Sequence, residues 1–134
     1  MESSAEAVVP PPPRPRVLVA DDEHMIADTL AIILNQAGFE TATAYDGNEA
    51  VEKARTWNPD LLLSDVMMPE MNGIDAAIQI CTMFPECRVL LFSGQASTAA
   101  MLSDARLKGH HFEILQKPVH PADLIARLRN LRTA

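Results

Sequence analysis

The sequence predicts one α/β domain in which strands and helices alternate around a parallel sheet. Three observations predict it. Short apolar runs, β-branched or leucine-rich, recur from Arg16 onward; each is followed by apolar residues at helical spacing; and four of the runs end on polar residues able to do chemistry. Those ends are Asp21 and Asp22 after RVLVA, Asp65 after LLLS, Ser93 after RVLLF, and Lys117 after FEILQ. Alternation brings all five to one edge of the sheet, where open α/β folds bind ligands.

Residues 1–15 stand apart, because the proline run ending in RPR offers few backbone donors and cannot join a sheet interior. An extended or disordered tail is expected there, with the folded domain over 16–132. Strand one is expected over Val17–Asp21, and the helix after it carries Ile26, Leu30, Ile33, Leu34 and Ala37 on its inner face before Gly38 stops it. FETATAY alternates apolar and polar residues as an edge strand does, and Asp46-Gly47 turns the chain into a helix bearing Ala50, Val51, Ala54 and Trp57. Asn58-Pro59 breaks that helix, and strand three follows over Leu61–Asp65. Pro69 and Gly73 shape a loop into a third helix, with Ile74, Ala77, Ile78 and Ile80 or Cys81 inward. Strand four is Val89–Ser93, a polar, alanine-rich helix spans about Ser97–Lys108, and strand five is Phe112–Gln116. The last helix begins at Pro121 and buries Leu124, Ile125, Leu128 and Leu131.

Composition bounds the function. At 134 residues and 48% hydrophobic content the chain suits one domain with one core, and a formal net charge of -7 disfavours direct nucleic-acid binding. A cation or a basic partner fits better. Cys81 and Cys87 lack metal-ligand spacing and read as buried thiols of a reducing compartment. No run is long enough to cross a bilayer and the start lacks a secretory signal, so a cytoplasmic protein without membrane insertion is expected.

Three aspartates in one crevice repel one another unless a cation neutralises them. Mg²⁺ suits that task, because it is commonly held by one or two carboxylates, keeps several waters and leaves room for phosphate oxygens. Lys117 can meet an anionic phosphoryl group and Ser93 can donate to another of its oxygens. Asp65, at the end of a central strand, can attack phosphorus to give an acyl phosphate. Taken singly, each residue also has a plainer reading: Asp21, Asp22 or Glu23 as a helix cap, Ser93 as a capping hydroxyl, Lys117 as a solvated lysine. His24, His110 and His111 lack the further ligands of a structural metal site, and His120 fits a cap before the last helix.

DDE at 21–23, SDVMMPEMNG at 64–73, FSG at 92–94 and QKP at 116–118 together resemble the receiver domain of two-component response regulators, over about residues 16–132. The resemblance implies a doubly wound (βα)5, flavodoxin-like fold with a five-stranded parallel sheet of order 2-1-3-4-5 and helices on both faces. It implies that Asp65 accepts a phosphoryl group from a histidine kinase or a histidine phosphotransfer protein. Asp22 and Asp65 would ligate Mg²⁺ directly, Asp21 through a water, and the Met67 main-chain carbonyl would complete the protein ligands. Ser93 and Lys117 would bind the phosphoryl oxygens, Lys117-Pro118 would be cis, and Met67 and Gln95 would tune self-dephosphorylation. Such a domain is a phosphoacceptor signalling module rather than an enzyme with a separate substrate. With no output domain after the fifth helix, a stand-alone receiver is expected, docking its kinase on the first helix and using helix four, strand five and helix five to bind a downstream target or a second copy.

One departure bears on signalling: receivers usually carry an aromatic switch residue three positions before the lysine, where this chain has Ile114, while Phe112 lies two residues earlier on the same strand face. The alternative function is a pseudo-receiver, a protein-binding scaffold independent of phosphorylation. A phosphatase of the haloacid dehalogenase kind would need a second aspartate where Met67 stands, and no glycine-rich phosphate loop follows strand one.

Overall fold

Ten elements alternate along the chain in a computed structural model that describes residues 14–94 and 98–133. They are β1 (Arg16–Ala20), α1 (His24–Gln36), β2 (Glu40–Ala44), α2 (Gly47–Trp57), β3 (Leu61–Asp65), α3 (Gly73–Met83), β4 (Arg88–Ser93), α4 (Thr98–Leu107), β5 (Glu113–Gln116) and α5 (Pro121–Thr133). The strands form one parallel sheet in the order β2-β1-β3-β4-β5, the order implied by the resemblance. The tail over 1–13, Gln95 and the expected helix start at Ser97 lie outside the described residues. Arg14 and Pro15, expected in the tail, are tied to the domain: the Pro15 carbonyl accepts from Glu40 N–H at 2.8 Å, and the Arg14 guanidinium donates to the Gly38 and Asn35 carbonyls.

Because strand neighbours point to opposite faces, the sheet divides the core into two layers. Leu18, Leu62 and Leu91 pack with Val51 of α2, Ile74 and Ile80 of α3 and Ala105 of α4. Val17, Val19, Leu61, Leu63, Leu90 and Phe92 pack on the other face with Leu34 of α1 and Leu124 and Leu128 of α5. Every residue of β3 is buried, as the unbroken LLLS run requires of a strand covered on both sides. Each buried leucine contributes about 1.5–3 kcal/mol by leaving water.

The helix ends follow local chemistry. Gly38, at φ 107, closes α1 with Phe39 N–H bonded back to the Leu34 carbonyl, a left-handed cap that glycine adopts without strain. Asp46 caps α2 by accepting from Glu49 N–H at 2.7 Å, while the Glu49 carboxylate accepts from Tyr45 N–H. Asn72 caps α3 through Asp75 N–H, and His120 accepts from Ala122 N–H at the start of α5.

Several expectations shift in detail. β1 ends at Ala20 because the chain turns into α1 there, although Asp21 N–H still bonds the Ala44 carbonyl at 3.1 Å. β5 begins at Glu113, which pairs with Leu90, so Phe112 precedes the strand. On α1 the deepest residues are Ala27 and Leu34; Ile26, Leu30 and Ile33 are half-buried. Trp57 is half-buried, its ring beneath the Arg16 guanidinium at 5.5 Å. Burial pushes the Cys87 thiol up to about 12, with Cys81 and Asp60 adding to it, and raises the Cys81 thiol as well.

Candidate functional site

After β1 the chain passes into α1 on one face of the sheet, and after β3 into α3 on the other, so the carboxyl ends of these adjacent strands stand beside an open crevice. β1 delivers Asp21 and Asp22 to it, and β3 delivers Asp65. One carboxylate oxygen from each of the three lies within 4.8 Å of the others, the one such trio of potential metal ligands among the described residues.

Asp21 is fully buried; one oxygen accepts from Glu23 N–H at 2.9 Å, and the other, Oδ2, is buried with no hydrogen-bond partner. Burial raises its pKa to about 6, the Asp65 and Asp22 charges pushing the same way while the Glu23 N–H and the Lys117 ammonium oppose them. Asp22 is exposed at the mouth, and Asp65 lies 6% exposed at the floor. Lys117 reaches across from the end of β5: its Nζ lies 3.1 Å from Asp65 Oδ2 and 5.0 Å above the Phe92 ring. Ser93 is fully buried at the end of β4, and its carbonyl accepts the Lys117 N–H at 2.9 Å. The Lys117-Pro118 bond is cis. All five residues named from sequence therefore come to one end of the sheet.

The orphaned buried oxygen of Asp21, whose pKa burial raises, together with the Asp22 and Asp65 carboxylates within reach, forms a hard, anionic donor set that fits a divalent cation such as Mg²⁺. The plainer reading of Asp21, Asp22 or Glu23 as a helix cap is not realised: Glu23 is the N-cap residue of α1 and no side chain caps the helix there, while Asp21 accepts from the Glu23 N–H just before it and leaves its second oxygen free of that role.

The loop from Val66 to Asn72 frames the crevice. Its ends meet through Gly73 N–H to the Val66 carbonyl at 2.8 Å, and Met67 N–H points at Asp65 Oδ1 from 3.4 Å. A Cβ on Gly73 would sit 2.1 Å from the Asp65 carbonyl oxygen, so only glycine lets α3 start this close to the strand end; sequence marked Gly73 as a loop former but gave no sign of this contact. Ser64 Oγ donates to the same carbonyl at 2.9 Å. Farther out, Met71 rests on Gly47 and Glu70 bonds Asn48, contacts between distant residues that no local pattern announces.

The histidines stay out of the aspartate trio. The His24 ring stacks on Tyr45 at 3.8 Å, and the Tyr45 hydroxyl donates to Asp28; His110 stacks on Phe112 at 5.7 Å. Phe112 and Ile114 are both half-buried against the same core layer. Beside Lys117 an apolar cavity of about 430 Å³ opens between α1 and α5, lined by Ile26, Leu30, Phe92, Val119 and Leu124. No helix among the described residues is long and apolar enough to cross a membrane.

Comparison with known proteins agrees with this geometry. A family model described as "Response regulator receiver domain" matches residues 17–129. Chemotaxis protein CheY of Thermotoga maritima is 33% identical over 117 residues, covering 87% of this chain and 96% of that protein. DNA-binding response regulator MtrA of Mycobacterium tuberculosis is 34% identical over 116 residues, 87% of this chain but 50% of MtrA, so the chain spans about half the length of such relatives. Among solved structures, a CheY-like receiver domain protein from Methanospirillum hungatei superposes with a TM-score of 0.82 at 25% identity, covering 90% of this chain and 95% of that one. TrrA of Thermotoga maritima, solved in complex with Mg²⁺-BeF, gives a TM-score of 0.75 at 28% identity, covering 87% and 98%. With the sheet order, the aspartate crevice and these matches in hand, the chain belongs to the response regulator receiver domain family, as a signalling domain of the CheY-like type.

Proposed function

We propose that Asp65 accepts a phosphoryl group from a phosphohistidine on a histidine kinase or phosphotransfer protein. The observation that carries this reading is the placing of Asp65 between two other aspartates within 4.8 Å and an ammonium at 3.1 Å, an arrangement that sets a carboxylate nucleophile at the floor of the crevice beside groups able to answer the charge of a phosphoryl group. Asp22, Asp65 and the Met67 carbonyl would hold Mg²⁺, with Asp21 acting mostly through a water. The ion supplies positive charge to the phosphoryl oxygens as they transfer. An Asp65 oxygen forms the new bond to phosphorus while the bond from phosphorus to the donor imidazole nitrogen breaks, the bonding pair staying on that nitrogen. Lys117 moves from the Asp65 carboxylate to a phosphoryl oxygen, and Ser93 donates to another. The exposed first turn of α1, with Met25, and the apolar cavity beside it suit the docking of the phosphodonor.

The output surface in this reading is α4, β5 and α5, where Leu107 stands 88% exposed and which serves target binding or self-association. Ser93 drawn toward the phosphoryl group reshapes α4 and β5, with Phe112 taking the place of the missing aromatic at Ile114. The test is the intact mass of wild type and Asp65→Ala after incubation with Mg²⁺ and a small acyl phosphate or phosphoramidate. One acid-stable, alkali-labile phosphoryl group on wild type and none on the variant is expected. Absence of any gain, where a control receiver is labelled, would replace this reading with the phosphorylation-independent scaffold.

A further inference from the structure

We infer that the first turn of α2, at Gly47 and Asn48, is the seat that holds the β3–α3 loop in register for metal binding, making these two positioning residues for the Met67 carbonyl. The inference rests on the Mg²⁺ reading above and extends it to residues from a different part of the chain.

The loop is held at two places. At its base, Val66 N–H bonds the Phe92 carbonyl at 3.1 Å and Gly73 N–H bonds the Val66 carbonyl at 2.8 Å. At its tip, Met71 lies so close to Gly47 that a Cβ there would stand 2.2 Å from the Met71 carbonyl oxygen and 2.7 Å from its Cβ. Beside that contact, Asn48 Nδ2 donates to Glu70 Oε1 at 3.2 Å. Glu70 sits at φ 68, a left-handed conformation that a residue with a Cβ keeps only where its surroundings hold it. Those surroundings are themselves fixed, because the Asp46 and Glu49 side chains brace the start of α2 reciprocally. Met67 lies between the two anchors. Mg²⁺ demands nearly ideal octahedral geometry at short range, so a shift of a few tenths of an ångström in one carbonyl is felt as lost affinity.

A role confined to helix packing would change stability and leave metal affinity alone, which separates the two possibilities. The experiment is an NMR-detected Mg²⁺ titration of the whole chain, following crevice amides, for wild type, Gly47→Ala, Asn48→Ala, Glu70→Ala and Glu70→Gln. Urea unfolding of each metal-free protein accompanies it. Gly47→Ala is expected to weaken Mg²⁺ binding at least about fivefold, and Asn48→Ala and Glu70→Ala each about two- to threefold, the low end of one ordinary exposed hydrogen bond. Glu70→Gln removes the same charge as Glu70→Ala but keeps the acceptor, and is expected to bind like wild type. Metal-free Asn48→Ala should unfold at the wild-type midpoint. If Gly47→Ala does not fold, the Asn48 and Glu70 variants decide the matter. Wild-type affinity in Asn48→Ala and Glu70→Ala would overturn the positioning role alone, whereas a wild type that binds no Mg²⁺ would overturn the metal reading and this inference with it.

Discussion

Replacing Asp21 with asparagine should stabilise the metal-free protein at neutral pH, although it removes an acidic group from the crevice. Asp21 is fully buried and its pKa stands at about 6 instead of its ordinary 3.8, because burial and the Asp65 charge disfavour the ionised form. A carboxyl whose folded pKa is raised binds its proton more tightly in the folded chain than in the unfolded one. Its favourable contribution is complete below the unfolded value and is lost as pH rises through the folded value, a window from about 3.8 to about 6. A rise of that size corresponds to about 3 kcal/mol. The asparagine amide stays neutral throughout and keeps an oxygen for the Glu23 N–H, so Asp21→Asn should exceed wild type by up to about 3 kcal/mol at a pH of about 7.5 in chelator. Urea unfolding reads a gap of about 3 kcal/mol as a midpoint raised by roughly 1–3 M, given a slope of about 1–3 kcal/mol per molar. The gap should close toward a pH of about 4, where the aspartate too is protonated, and should narrow again at about pH 7.5 when saturating Mg²⁺ stabilises wild type preferentially. A variant no more stable than wild type at neutral pH, or a gap that ignores pH, would refute the argument.

Other expectations follow from single contacts. Gly73→Ala forces a Cβ against the Asp65 carbonyl at 2.1 Å and should cost more than about 3 kcal/mol in chemical unfolding, whereas Gly94→Ala meets only the Lys117 side chain at 3.8 Å and should stay within about 0.5 kcal/mol. Leu62→Ala, at a fully buried site between β1 and β4, should lose about 2–5 kcal/mol by the same assay. Lys117→Met removes the cation that competes for Asp65 at 3.1 Å, so Mg²⁺ should bind several-fold more tightly while labelling by a small phosphodonor slows; weaker Mg²⁺ binding would contradict the assigned competition.

The site was legible because its residues sit at the ends of apolar runs, and a run such as LLLS can be satisfied only by a strand covered on both faces. Once strands are fixed, Asp21, Asp65, Ser93 and Lys117 have nowhere to go but one edge. The contacts that hold the β3–α3 loop were not legible, since Gly47 touching Met71 and Asn48 bonding Glu70 join residues far apart in sequence, and Asp46-Gly47 reads locally as an ordinary turn. The inner face of α1 was half legible: helical spacing found Leu34, but Ile26 and Leu30 line the cavity beside Lys117 and Ala27 takes the tight place against the sheet. Periodicity gives a direction for a face, while the depth of each residue depends on what lies opposite.

The sheet keeps its two packed layers apart over most of its width, but at β5 it runs out of strands. Ile114 belongs to the layer shared by α2, α3 and α4, and the next residue, Leu115, to the layer shared by α1 and α5. A partner laid along this margin therefore touches both halves of the interior through adjacent side chains.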